Sequence, residues 1–181
     1  MNVSSGSAFG RSIFLILGLI LSSISVPGVA GQKVGPSKAE VRQKVAAIIR
    51  ERLRGTVTVV NGVEVQTQTP PSPKAVETVR QFGDEAVPVL ESYLRSRNPR
   101  ERAAGIEFLG LLGGRRIVGP LQKVITSEKE SYLRILALRW ITTAPPEFTI
   151  KIIREAARSD SDKQVREAAQ TLLNGLPVKA G

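Results

Sequence analysis

The segment DSDKQVREAAQTLL (residues 160–173) opens on acids, sets Arg166 directly after Val165, and closes on small and apolar residues. Two earlier stretches, NPRERAAGIEFLG (98–110) and EKESYLRILALRWI (128–141), share its layout. Aligned on their arginines, Arg102, Arg134 and Arg166 recur at an interval of 32 residues, and so do Asn98, Glu130 and Asp162 four positions before them. The same register aligns Gly105 with Ala137 and Ala169, Phe108 with Trp140 and Leu172, and Leu109 with Ile141 and Leu173. The stretches DEAVPVLESYL, RRIVGPLQKVI and PEFTIKIIREA precede these three and align Val87, Val118 and Ile150, then Leu90, Leu121 and Ile153, with one residue fewer in the first connection. A fixed interval of this size is the signature of a repeat array, and the three-to-four-residue spacing of the apolar positions makes each repeat a helical hairpin. Gly113-Gly114, Pro145-Pro146 and Asn174-Gly175 supply helix stops between or after the units, the last read as a C-cap. One such hairpin cannot bury its apolar stripe, so neighbours must stack. The expected fold is therefore all-α, an α-α solenoid of about three hairpins over 84–176 within a repeat domain of 72–176.

Upstream, residues 37–54 place Val41, Val45, Ile48, Ile49 and Leu53 on one helical face, with Ser37 as N-cap and Glu40 three residues on. Gly55 ends that helix. The alternating TVTVVNGVEVQTQT that follows turns at Asn61-Gly62, which predicts a β-hairpin of 56–60 with 63–67. The prolines of PPSP then end the strand and start a helix over 72–82, a divergent half-repeat. Residues 31–71 thus read as a cap on the first hairpin, and 177–181 as a tail.

At the N-terminus, Arg11 precedes the apolar SIFLILGLILSSISV and the small-residue PGVAGQ, with Gly28 and Ala30 at −3 and −1 for cleavage after Ala30. This is the layout of a signal peptide over 1–30, and its apolar run falls short of the ~20 residues that a helical span requires. Export to the periplasm or outside the cell is expected; an uncleaved membrane anchor is the alternative. The chain has neither cysteine nor histidine, which excludes disulfides, thiolate nucleophiles, Cys/His metal or haem sites and imidazole-based triads. A fold of this composition holds by packing alone. Its formal charge of +10 is uneven: seven Lys/Arg against two Glu lie between residues 31 and 56, whereas sixteen basic residues face twelve acids over 84–181.

On GDEAVPVLESYL, NPRERAAGIEFLGLLG and DSDKQVREAAQTL the chain resembles the HEAT-repeat family, specifically the short bacterial HEAT-like repeats of the bilin-lyase type. The resemblance covers about 84–176. It departs from the pattern at Glu101, which stands where Leu133 and Val165 sit, and in the bulky ESYLRILALRW of the middle unit. It implies a solenoid whose second helices line a concave, partner-binding side, and a polar ladder that braces neighbouring hairpins. The resemblance would place that ladder at Arg102, Arg134 and Arg166 with Asn98, Glu130 and Asp162, each pair in the favourable acid-before-arginine i,i+4 order where the first member is acidic.

The outward stripe of the second helices, in the same register, comprises Arg100, Tyr132 and Gln164, then Ala103, Ile135 and Glu167, then Glu107, Arg139 and Thr171. Tyr132, Ile135 and Arg139, with Arg100 and Glu107, are the protein-binding candidates, because Tyr and Arg are enriched at interface hot spots. Trp140 falls in a core register. The acid pairs Asp84-Glu85, Glu128-Glu130 and Asp160-Asp162 fall at helix starts, where capping and the helix dipole explain them without chemistry. No phosphate loop, nucleophile elbow or calcium loop is present. No catalytic, cofactor or metal site is assigned. The expected function is a non-enzymatic scaffold that binds a protein or peptide on the concave face. The alternative is an anionic-surface binder, for an envelope polyanion or the membrane, through the basic helix 37–54. Export makes DNA the least expected ligand. Catalysis by family analogy, as bilin lyase or HEAT-like DNA glycosylase, lacks mapped residues.

Overall fold

The computed structural model describes residues 35–60, 63–67 and 70–176. The signal peptide read over 1–30, the Asn61-Gly62 turn and the tail 177–181 lie outside the described residues. What is described is a helical body built from packed helix pairs.

Helix α1 (Lys38–Arg54) starts where Ser37 Oγ accepts the Glu40 N–H at 3.2 Å, and it buries Val41, Val45, Ile48 and Ile49. Gly55 ends it. Strands β1 (Thr56–Val60) and β2 (Val63–Thr67) pair antiparallel, with Val60 opposite Val63 and Thr56 opposite Thr67. Helix α2 (Pro73–Phe82) combines an N-cap at Ser72 with proline in the first turn, where its missing N–H costs nothing.

Three helix pairs follow: α3 (Ala86–Leu94) with α4 (Pro99–Leu112), α5 (Val118–Ser127) with α6 (Ser131–Ile141), and α7 (Pro146–Ser159) with α8 (Lys163–Gly175). Single 3-10 turns, Gly83–Glu85 and Arg115–Ile117, lead into α3 and α5. The second helices α4, α6 and α8 lie side by side, α5 packs on α7, and α1 covers α3 and α4. The core runs through all pairs, with Leu90, Ile106, Phe108, Leu121, Leu133 and Ile153 fully buried.

Small residues set the helix separations. A Cβ on Gly105 would meet Leu94 Cδ2 and Tyr93 Cβ at 3.2 Å, so the register that aligns it with Ala137 and Ala169 marks where the two helices of a pair cross. Gly110 is tighter still: its Cβ would lie 2.3 Å from the Trp140 ring, so the indole fills the space a side chain on α4 would take. Trp140 itself is half-buried and packs on the core. At the pair boundary Gly113 and Gly114 adopt φ of +63° and +72°, open to glycine without strain, and the Gly114 N–H donates to Thr143 O. Thr143 Oγ1 in turn donates to Gly110 O at 3.0 Å, which ties the ends of α4 and α6 together.

One expected stop differs. Asn174-Gly175 is not a C-cap: α8 runs through Gly175 and ends on Leu176, whose N–H donates to Leu172 O and Leu173 O. Gly175 has no positive φ, and the packing of Leu176 on the core places the end one residue later.

Candidate functional site

Two constellations come together on the second helices. The first is the arginine ladder, and its rungs differ from those expected. Arg102, Arg134 and Arg166 do not pair with the residues four positions before them. Asn98 and Asp162 are N-caps, their carboxamide and carboxylate oxygens accepting the N–H groups of Arg100 and Gln164 at 3.0 and 2.7 Å. Glu130 occupies the same cap position with no side-chain cap bond.

Arg102 and Arg134 instead reach two ways. Arg134 Nη1 donates to the carbonyls of Glu128 and Lys129, at 2.9 and 3.1 Å, in the connection that opens its own helix. Its Nε and Nη2 form a bidentate pair with Asp160, at 2.9 and 2.8 Å, in the connection that opens α8. Arg102 does the same one unit earlier, with Nη1 on the Ser96 and Arg97 carbonyls and the other edge on Glu128 at 2.8 and 3.1 Å. Glu128 and Asp160 also accept the backbone N–H two residues on, from Glu130 and Asp162. Each acid is therefore held from the preceding unit through its carboxylate and from its own unit through its carbonyl. The signal was present in the sequence: Glu128 and Asp160 are themselves 32 apart and stand six residues before an arginine.

Burial makes these rungs matter. Side-chain exposure is 9% and 8% for the Arg134–Asp160 pair and 15% and 10% for Arg102–Glu128. Burial pushes both carboxyls up, but hydrogen bonds from the facing arginine and from the backbone N–H two residues on outweigh it and hold them below their usual range. Asp160's hydrogen bonds in turn hold the Arg134 guanidinium above its own. Among the described residues no buried side-chain polar atom lacks a partner.

The ladder has unlike ends. Ser96 occupies the register of Glu128 and Asp160, and its Oγ accepts the Asn98 N–H as those carboxylates do for Glu130 and Asp162. The residue 32 before Arg102 is Pro70, so the period supplies no earlier arginine for position 96, and serine keeps the backbone bond without the charge. At the other end Arg166 Nη1 donates to the Asp160 and Ser161 carbonyls at 2.6 and 3.1 Å, while its Nε and Nη2 have no partner among the described residues.

The second constellation is the stripe on α6. Tyr132 is 51% exposed and Arg139 is exposed, with Ile135 half-buried between them at helical spacing. Tyr132 and Phe148 are the large apolar side chains most open to solvent among the described residues. Arg100 is exposed at the start of α4. Glu107 is not available in the same way: Arg52 Nε of α1 donates to its carboxylate at 2.7 Å, with side-chain exposures of only 11% and 18%. Sequence reasoning missed this pair because the two residues lie 55 apart and no periodicity links them. It also missed Phe148, which lies under the Arg115 guanidinium at 4.8 Å.

The same salt bridge changes the basic helix 37–54. Arg52 belongs to the α1–α4 contact, and Lys44 pairs with Glu40 at 2.8 Å, so the cations of α1 that face solvent outside such pairs are Lys38, Arg42, Arg50 and Arg54. Among the described residues no group of His, Cys, Asp or Glu is placed to hold a metal ion, and no helix is long and apolar enough to cross a membrane. Compared with protein-family models, with curated proteins and with solved structures, the chain matches none.

Proposed function

We propose that this chain is a non-enzymatic interaction module: an exported HEAT-like α-α solenoid that binds a partner protein or peptide on a concave face formed by α4, α6 and α8. The observation that carries the reading is the α6 stripe, where a half-exposed tyrosine stands with an exposed arginine and a partly open isoleucine on one face. A tyrosine offers large rigid contact area and a polar tip, and an arginine a planar donor fork, the combination on which interfaces concentrate their affinity.

Curvature supports the choice of face. The second helices pack against one another more extensively than the first helices do, and grooves of about 780 and 330 Å³ open between α5 and α7 and between α3 and α5. Closer packing on one layer would bend a stack toward that layer, which supports α4, α6 and α8 as the inner wall. The solenoid, the family and export rest on the 32-residue period and the leader.

The test is site-specific photo-crosslinking in the native envelope, with the crosslinker at 132 or, as control, at 122 on the outer helices. The expected result is one adduct formed from position 132 and lost in Arg139→Glu. An adduct formed equally from both positions, or one unaffected by Arg139→Glu, refutes the face. Binding that collapses with salt and with charge reversal at Lys38, Arg42 and Arg54 would return the function to α1.

A further inference from the structure

The connections inside the first two helix pairs carry basic residues that invite cleavage. Arg97 lies between α3 and α4 and Lys129 between α5 and α6, both exposed. An endopeptidase that cuts after Arg or Lys reads that side chain, but it acts on the carbonyl of the same residue, which must enter an oxyanion hole while the next nitrogen becomes the leaving group. At both positions these groups are already committed. Arg97 O accepts Arg102 Nη1 at 3.3 Å, and the Asn98 N–H beyond it donates to Ser96 Oγ at 3.1 Å. Lys129 O accepts Arg134 Nη1 at 3.1 Å, and the Glu130 N–H donates to Glu128 Oε1 at 3.1 Å. The same Nη1 groups hold the carbonyl one residue earlier, Ser96 O at 3.0 Å and Glu128 O at 2.9 Å. Each peptide unit that a protease would have to draw into its active site is thus held at both its oxygen and its nitrogen. The two arginines are themselves fixed, since their other edges grip Glu128 and Asp160 with the guanidinium side chains only 15% and 9% exposed. A corner anchored in this way cannot swing aside without giving up the bidentate pair.

We propose that the peptide bonds 97–98 and 129–130 are latent processing sites for an endopeptidase specific for basic residues, and that the Nη1 corner of the ladder arginine keeps each one shut. The recognition element, the basic side chain, stands in solvent; the reacting carbonyl is withheld. Cleavage therefore waits on local opening of the connection, and its rate follows the population of that open form. Opening breaks two hydrogen bonds from a charged donor, which holds the open population down by at least about tenfold. Each guard belongs to the second helix of its own pair, so one connection can open while the other stays shut. In the third pair the same corner lies over Asp160 and Ser161, which offer no basic side chain. Bracing of the connection is thus common to all three pairs, and guarding a cleavage site is confined to the first two. The sites are separate from the α6 stripe and stand or fall independently of it.

The experiment is limited trypsin digestion of the folded full chain, with the bonds cut identified over time by mass spectrometry of the fragments. R102M should be cut at 97–98 at least about tenfold faster than the unaltered chain, with 129–130 little changed. R102K should behave likewise, because an ammonium keeps the charge without the fork. In R134M the accelerated bond should instead be 129–130. E128Q separates the corner from the rung: it takes the charge from the far edge of Arg102 and leaves the Nη1 bonds in place, so 97–98 should be cut more slowly than in R102M. Equal rates at 97–98 in E128Q and R102M overturn the proposal, since the protection then comes from the stability of the rung. So does acceleration of both bonds alike in R102M and R102K, which is the pattern of general unfolding. An R102M chain cut no faster at 97–98 than the unaltered one overturns it outright.

Discussion

Replacing Arg134 with methionine tests the bracing role most directly. Methionine keeps the unbranched stem and adds no clash, so the loss isolates the guanidinium. That group makes two hydrogen bonds to Asp160 and two to backbone carbonyls, at a site where Arg134 is only 8% exposed. Its removal leaves the Asp160 carboxylate, 8% exposed, with the Asp162 N–H as its remaining donor among the described residues. Stranding one member of a buried pair costs about 3–5 kcal/mol. Arg166→Met removes bonds to two carbonyls but strands no carboxylate, so about 1–2 kcal/mol is expected there. Urea unfolding with an unchanged m-value is the assay. A double variant, Arg134→Met with Asp160→Leu, should recover part of the loss, because replacing both partners by apolar groups leaves nothing unpaired. Losses under about 1 kcal/mol for Arg134→Met, equal losses at 134 and 166, or a double variant weaker than the single would refute the bidentate rung as the brace.

Asp160 and Glu128 have folded pKa values held below those of the unfolded chain, so the stability they contribute is complete above about pH 5 and is lost as pH falls through the folded values. The urea midpoint should therefore drop steeply below pH 4, and less steeply in Arg134→Met. Gly110→Ala would set a methyl 2.3 Å from the Trp140 ring, forcing a shift that costs about 1–3 kcal/mol. Trp140 is the single tryptophan, so its emission should move in the folded state, and an unchanged spectrum with unchanged stability would contradict the packing. Arg52→Glu would bring two acids together across the α1–α4 contact and should cost about 2–4 kcal/mol by thermal or urea unfolding, with Glu107→Arg in the same chain restoring part of it. No loss would mean that α1 does not depend on this bridge.

Interval and helical spacing together made the helix pairs legible. Val41, Val45, Ile48 and Ile49 are buried as their spacing demanded, and Ser37 and Ser72 cap where a serine precedes an apolar run. Register also found the arginines but assigned them the wrong acids. An i,i+4 rule considers one helix at a time, whereas a guanidinium at a helix pair's edge can reach the next connection, 26 residues on. Glu128 and Asp160 were read as helix-dipole acids, which is true of their position and incomplete about their partners. Arg52–Glu107 could not be read at all, since a contact between an element outside the period and one inside it leaves no periodic trace. The α6 stripe was legible as a face; only the structure separates exposed Tyr132 and Arg139 from Glu107, which is already engaged.

The positions on either side of the two filled rungs show how charge is distributed along the helix pairs. Serine stands at 96, for which the period supplies no earlier arginine, and Arg166 donates to the Asp160 and Ser161 carbonyls with no carboxylate on its other edge among the described residues. Burying an unpaired carboxylate would cost several kcal/mol, while a half-buried arginine can keep one edge in water and hold its own connection with the other, so Arg166 has a structural explanation on the inner side alone.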